Sequence, residues 1–410
     1  MLRTELLEII ANGENSGVEF KRDDIRPEQL AKEVVALANL RGGLILLGVE
    51  DDGSISGINR ENLEEWVMTS VFSAKVHPMI LPFYEEIQME DGKRVAVISL
   101  TQGTSKPYVV RHNQREDVYV RLGSTSRLAS REEQARLYES GGMLHSEVLP
   151  VAGTSFASLS RERLTDYLQN ILQEPEMPTT EQEWITRLLG LGYLIEGVGD
   201  QVVCTIAGLL LFGTAPRRYL RQSGIRLMVF DGDSMEYRAE LDEVINAPFV
   251  GLWTTEGGTR QLEEVNYGVI ERFIDKITPF VSEEADNIDS GFRRENQWHY
   301  PKEAIREALI NALVHRDWTR MVDIEVVVYS NRIEILSPGA MQNSMTIEKM
   351  LAGQRSPRNP LIVEVMRDYG YVDARGMGVR TKIIPLMRQH STSEPEFQLT
   401  DDYLKLTLYR

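Results

Sequence analysis

The sequence predicts an α+β protein of several domains, and three observations carry that expectation. Helical and strand periodicities alternate: Leu30, Val34, Leu37 and Ala38 recur at helical spacing between Pro27 and Leu40, and the apolar run Leu44 to Val49 follows directly. Asp52-Gly53 and Asp91-Gly92 punctuate β-rich runs as hairpin turns do. A chain of 410 residues also exceeds what one hydrophobic core ordinarily serves, so two or three domains are expected.

Leu2 to Ala11 reads as an opening amphipathic helix stopped by Asn12-Gly13, and Val18 to Lys21 as a strand. Pro27-Glu28 suits a helical first turn, because proline presets φ and glutamate complements the helix dipole. Gly42-Gly43 ends that helix, Ile55 to Ile58 is expected to pair back across Asp52-Gly53, and Asn59 to His77 reads as a helix. Ile80 to Gln88 and Val95 to Leu100 form a hairpin, Tyr108 to Arg111 and Val118 to Leu122 a further strand pair. A helix at Arg131 to Tyr138 closes a first domain, assigned to residues 1–142.

A linking domain is assigned to residues 143–290. Ser146 to Ser160, with Pro150 and Gly153, reads as a linker. Helices within Arg161 to Leu191 follow, read as a spacer with a winged-helix fragment as the alternative. Strands at Gln201 to Cys204 and Ile225 to Asp231, a helix at Glu263 to Lys276 and an acidic loop at Glu283 to Asp289 complete it. The third domain, 291–410, opens with a helix at Pro301 to His315 and a hairpin of Val322 to Ser330 with Arg332 to Leu336. Helices at Thr346 to Leu351, Pro360 to Tyr369 and Thr381 to Gln389, the last restarted at Pro385, precede a closing edge strand at Tyr403 to Tyr409.

Composition narrows the function classes. Cys204 is the sole cysteine, which excludes a disulfide framework and a multi-thiolate zinc site and fits a reducing cytoplasm. No apolar run is long enough to span a bilayer, and the N-terminus lacks the apolar core of a signal peptide, so no membrane association is expected. A net charge of -17 argues against nonspecific coating of nucleic acid but leaves room for a local basic face. Lys106, Arg111, Arg115, Arg121, Arg127, Arg131 and Arg136 form such a stretch.

The first candidate constellation is Glu14, Glu19, Lys21 and Asp51. Three carboxylates at strand ends beside a lysine suit either Mg²⁺ or Mn²⁺, which take oxygen ligands and position phosphates, or an ion-pair network. Glu14-x-x-x-x-Glu19-Phe20-Lys21, Ala38-Asn39-x-x-Gly42-Gly43-x-Ile45-x-x-Gly48-Val49-x-Asp51, Lys106-Pro107-Tyr108 and Tyr119-Val120-Arg121-x-Gly123-Ser124-x-Ser126-Arg127 resemble, in order, the AlbA-like nucleic-acid-binding domain shared with the Schlafen family. That resemblance implies DNA or RNA as partner, with Lys21, Lys106, Arg121 and Arg127 as phosphate contacts. It further implies, for a ribonuclease member, a catalytic metal set of Glu14, Glu19 and Asp51. Tyr108 and Tyr119 suit either base stacking or sheet packing.

The second constellation lies on the Pro301 to His315 helix, where Glu307, Asn311 and His315 share one stripe at four-residue steps. Gly376-Met-Gly378 is a glycine turn before a helix. Glu307-Ala-Leu-Ile-Asn311-Ala-Leu-Val-His315-Arg316-Asp317, Ile335-x-Ser337-Pro338-Gly339 and Arg375-Gly376-x-Gly378 resemble the GHKL-type ATPase-like module of proteins labelled RecG-like. The resemblance implies an α/β sandwich in which Glu307, Asn311, His315, Gly339, Gly376 and Gly378 bind ATP, with Mg²⁺ on Asn311. The sequence departs at Ser337, where those ATPases place an aspartate. The leading expectation is a nucleic-acid-binding regulator modulated by nucleotide. The alternatives are a Schlafen-like metal-dependent ribonuclease and a nucleotide-free scaffold for homodimerisation.

Overall fold

The computed structural model describes all residues except 113–114, 143–144, 198–200, 257–258, 263–265, 289–293, 342–344, 355, 374–377, 392 and 401. At 255–256, 259–260, 284–288 and 294–296 only the backbone is described. The chain divides into two compact units, Met1–Leu144 and His145–Met341 with Met345–Arg410.

The first unit is built on a four-stranded sheet in the order Val18–Lys21, Gly42–Leu47, Arg94–Thr101, Phe83–Gln88. The first two strands are parallel and the helix Pro27–Asn39 crosses between them; the other pairings are antiparallel. The central strand is apolar throughout because both faces are covered. Ile45, Leu47, Ala96 and Ile98 face the crossover helix with Leu30, Val34 and Leu37. Leu46, Val95 and Val97 pack with Phe20, Leu6 and Ile10 on the opposite side, as the two-residue period of a strand requires.

Three assignments change. Ile55 meets Val49 in a single bridge instead of a hairpin arm, although the turn forms, with Ser54 N donating to Asp52 Oδ1 at 2.8 Å. Asn59 to His77 holds a short helix, Leu63–Trp66, then a π-helical stretch Val67–Ser73 and a strand Val76–His77. Val109–His112 pairs with Val76–His77 and Arg115–Asp117, while Tyr119–Leu122 pairs with Thr125–Leu128 across Gly123, so the expected pairing of these two segments does not form.

In the second unit one six-stranded sheet runs Leu241–Ile245, Ile225–Val229, Ile324–Val328, Arg332–Pro338, Tyr403–Tyr409, Glu396–Leu399. Ile225–Val229 and Ile324–Val328 are parallel neighbours. The segments read as linking and terminal domains therefore share a sheet, and the helices Val269–Val281 and Lys302–His315 share its core. Tyr403–Tyr409 is internal and Glu396–Leu399 forms the edge beyond it. Ser282–Ile288 is a strand paired with Arg294–Trp298, where an acidic loop was expected. Ile206–Phe212 is a fully buried helix.

Gly42 shows how tightly the first sheet closes. Its φ is +81°, and an added Cβ would lie 2.2 Å from the Leu100 carbonyl oxygen. Gly92 has a similar φ, +85°, with open space around it. Gly42→Ala is expected to lose about 2–4 kcal/mol in urea denaturation, strain and overlap combined, against about 1 kcal/mol for Gly92→Ala, which feels strain alone.

Candidate functional site

Arg121 is the centre of the first unit's charged cluster, and its side chain is fully buried. Nε and Nη2 donate to the Asn15 carbonyl at 3.2 and 2.7 Å, and Nη2 also donates to the Val18 carbonyl at 2.9 Å. Nη1 donates to Glu33 Oε2 and Ser126 Oγ, both at 3.4 Å, while the Ser126 hydroxyl donates to Glu33 Oε2 at 2.5 Å. Glu19 Oε2 lies 2.6 Å from Nη2 as a charge pair, since that nitrogen aims its hydrogens at the two carbonyls. Every donor of the guanidinium is used inside the protein, so Arg121 is a buried tie and not a phosphate contact.

Two of the three carboxylates that suggested a metal centre, Glu14 and Glu19, are engaged in the same way. Glu14 Oε1 accepts from the Phe20 backbone N–H at 2.8 Å and lies 3.8 Å from Lys21 Nζ. Lys21 also donates to Glu19 Oε1 and to the Phe20 carbonyl, the latter at 2.8 Å. Burial pulls the Lys21 ammonium down, but the Glu19 hydrogen bond and the charges of Glu19, Glu14 and Glu33 outweigh it and hold the pKa above the ordinary lysine value. Among the described residues no three of Asp, Glu, His and Cys converge as a ligand set. Glu14 and Glu19 meet over Lys21, and Asp51 does not join them. Protein cations occupy the electrostatic role expected of Mg²⁺ or Mn²⁺.

Asp51 lies instead in an open cleft of about 620 Å³ lined by Lys21, Arg22, Lys32, Asp24, Glu33, Glu50 and Asp52 among others. Carboxylates outnumber cations there, and Arg22 is engaged by Asp24 at 3.4 Å and Glu50 at 3.8 Å. Such a cleft disfavours a phosphate backbone.

Lys106 is buried, with Nζ donating to the Leu40 carbonyl at 2.8 Å. Tyr108 is buried as well. Its N–H donates to Asn39 Oδ1 at 2.7 Å, and Asn39 Nδ2 donates to the carbonyls of Tyr108 and Tyr119 at 2.9 Å each. Packing, not base stacking, is therefore the role of Tyr108. Of the four cations expected to meet phosphate, Arg127 alone is exposed, and Glu133 holds it at 2.6 Å. Glu33, missed in the sequence, carried a readable signal. It sits three residues after Leu30 and four before Leu37, on the buried stripe, where a charge needs a buried partner.

In the second unit the Glu307 stripe faces the turn Val379–Ile383. Asn311 Nδ2 donates to the Glu307 carbonyl at 2.7 Å and to Oε1 at 3.2 Å, and Lys382 Nζ donates to Oε2 at 3.4 Å. Gly378 presses on the same carboxylate, where an added Cβ would fall 1.6 Å from Oε1. Asn311 Oδ1 takes no hydrogen bond from the described residues, and as a neutral oxygen it suits Mg²⁺. His315 is reached by solvent, yet the surrounding protein desolvates its ring and Arg358 adds repulsion, so its pKa is pulled down to about 4.

Gly339, an expected nucleotide contact, is internal, as are the motif residues Ser337 and Arg316. Ser337 Oγ donates to the Ala312 carbonyl at 3.0 Å. Gly339 N–H donates to the Asp402 carbonyl at 2.7 Å, and with φ +113° an added Cβ would lie 2.5 Å from Asp317 Cβ, so close packing explains the glycine and its N–H is not offered to a phosphate. Arg316 is fully buried, donating to the carbonyls of Gln222, Arg320 and Val322 at 2.8, 2.7 and 2.6 Å. Gly376 lies outside the described residues.

This geometry accompanies two domain-level likenesses. Residues 14–130 match the family model "Schlafen, AlbA_2". Residues 322–408 match the model "Putative ATP-dependent DNA helicase recG C-terminal", a span that begins after the Glu307 helix. Among solved structures, the DIP2311 protein from Corynebacterium diphtheriae aligns at 21% identity over 99% of this chain and 79% of its own, with TM-score 0.41. The N-terminal domain of the "Putative ATP-dependent DNA Helicase RecG-related Protein" from Nitrosomonas europaea aligns at 24% identity over 30% of this chain and 90% of its own, with TM-score 0.24. Comparison with curated proteins gives no match. No helix among the described residues is long and apolar enough to cross a membrane.

Against the AlbA_2 likeness, the motif residues Glu19, Asn39, Lys106 and Arg121 hold the first unit together from within. In the second unit His315 gives a measurable signature. Its pKa is about 4 when folded and 6.5 ordinarily, so the unfolded chain binds more protons between those values. Keeping the ring neutral carries no penalty above about pH 6.5, and the penalty grows as pH drops towards about 4. Urea midpoints followed across this window should fall less steeply for His315→Gln than for the natural chain.

Proposed function

We propose that this chain binds nucleic acid through the first unit and nucleotide through the second, with nucleotide occupancy biasing the nucleic-acid affinity. One observation carries the first part. Arg111, Arg115, Arg127, Arg131 and Arg136 are all exposed, on elements that share the small core of Val109, Val118, Ala129 and Leu137. In a chain of net charge -17 these five arginines gather in one small region, interleaved with Glu116, Glu132 and Glu133. Arg111 and Arg127 are paired with Glu116 and Glu133 at 2.6 Å each, but exposed pairs are worth about 0–1 kcal/mol and yield readily to a phosphate. The AlbA_2 likeness supports the same reading.

Binding is preferred to metal-dependent RNA cleavage because Glu14, Glu19 and Asp51 do not form a ligand set among the described residues. Nucleotide binding rests on Asn311 Oδ1, the adjoining Glu307 and the match of residues 322–408.

Filter binding to single-stranded and duplex DNA and RNA, across salt and with or without Mg-ATP, tests the proposal. Affinity should fall with salt, and the triple change Arg115→Glu, Arg131→Glu, Arg136→Glu should weaken binding at least about tenfold. The same change should flatten the log–log slope by about 0.7–0.9 for each phosphate that the variant no longer neutralises. Salt-independent or undetectable binding to every probe overturns it.

A further inference from the structure

The Glu307–Lys382 pair joins unlike partners. The Glu307 side chain is 6% exposed and Lys382 33%, at a separation of 3.4 Å. Glu307 is fixed on its other oxygen by Asn311 and backed by Gly378, so the carboxylate cannot follow the lysine. Lys382, with one long contact among the described residues and a third of its side chain in solvent, can leave. It also has cationic company. The π-helical stretch Val379–Ile383 carries Arg380 and Lys382, packs on the Lys302–His315 helix and on Ile347–Leu351, which bears Lys349, and runs straight into the helix Ile384–His390. Arg380 reaches the Ala352 carbonyl at 3.4 Å, at the end of that short helix. Lys382 thus stands beside one nearly buried carboxylate, with Arg380 on its own element and Lys349 on the neighbouring one, and π-helical turns are frequent where side chains serve a ligand.

We infer that Lys382 is exchanged between Glu307 and the anionic end of the ligand. In the free protein it neutralises a carboxylate that burial would otherwise leave exposed to a full desolvation penalty. When a polyphosphate settles beside Asn311, Lys382 turns to it and Arg380 and Lys349 supply further charge. Glu307 and phosphate therefore compete for one ammonium. This rests on the nucleotide-binding reading above and adds the residue that recognises phosphate and the group that restrains it.

The competition predicts opposite signs at the two partners. Calorimetric titration of the full chain with magnesium-free tripolyphosphate, and separately with Mg-ATP, would compare the natural chain with Lys382→Met, Lys382→Arg and Glu307→Gln. Lys382→Met should weaken tripolyphosphate binding about tenfold, as loss of one charged hydrogen bond implies, and Lys382→Arg should largely keep it. Glu307→Gln should tighten tripolyphosphate binding several-fold, because the lysine no longer has a rival. A purely structural ion pair would instead lower thermal stability in both single variants and leave the affinity of the folded fraction unchanged. Unchanged affinity in Lys382→Met, or weaker binding in Glu307→Gln, overturns the inference while nucleotide binding stands. Absence of binding by the natural chain to both probes overturns the nucleotide reading itself.

Discussion

A guanidinium sealed from water is tolerable only when all of its donors and its charge are answered, and Arg121 meets that demand by drawing three separated parts of the chain together. The carbonyls of Asn15 and Val18 belong to the approach and start of the first strand, Glu33 to the crossover helix, and Ser126 to the far arm of its own hairpin. Glu19 completes the charge balance from the first strand. The geometry of the parallel strand pair, the seating of the helix and the attachment of the Tyr119–Leu128 hairpin all depend on this one group. So does the functional reading, because the same cluster engages Glu19, the most buried of the three carboxylates expected to hold a metal ion.

The second unit applies a related constraint with a different outcome. Glu307 is nearly as buried as Glu19, but its cation is a third exposed and its amide neighbour keeps an oxygen free of donors among the described residues. A closed ion cluster fixes structure, whereas an open one leaves partners that can be exchanged. The hydroxyl of Ser337 and the N–H of Gly339 are turned inward, so neither is offered at that strand end.

Periodicity made much of the fold legible. The helix Pro27–Asn39, the two-sided strand Gly42–Leu47 and the stripe of Glu307, Asn311 and His315 follow from apolar spacing and bracketing Gly and Pro residues. Pairings between distant segments did not. Ile225–Val229 carries no local sign that its parallel neighbour lies about a hundred residues onward, since parallel pairing leaves no turn signal. Charges were the hardest to place. Lys106 and Arg121 look like Arg115 and Arg131 in a linear reading, and only the partners supplied by Leu40, Asn15 and Glu33 separate buried ties from surface cations.

The most direct test of this account is a double-mutant cycle at Arg121 and Glu33, read by urea unfolding of the full chain. Arg121→Met should lose about 3–5 kcal/mol, because it leaves buried Glu33 without its arginine and Glu19 with Lys21 alone. Adding Glu33→Gln should recover at least about 1 kcal/mol relative to the sum of the single changes. Single changes that are small and additive within about 0.5 kcal/mol would contradict a buried tie and return Arg121 to the surface as a phosphate contact.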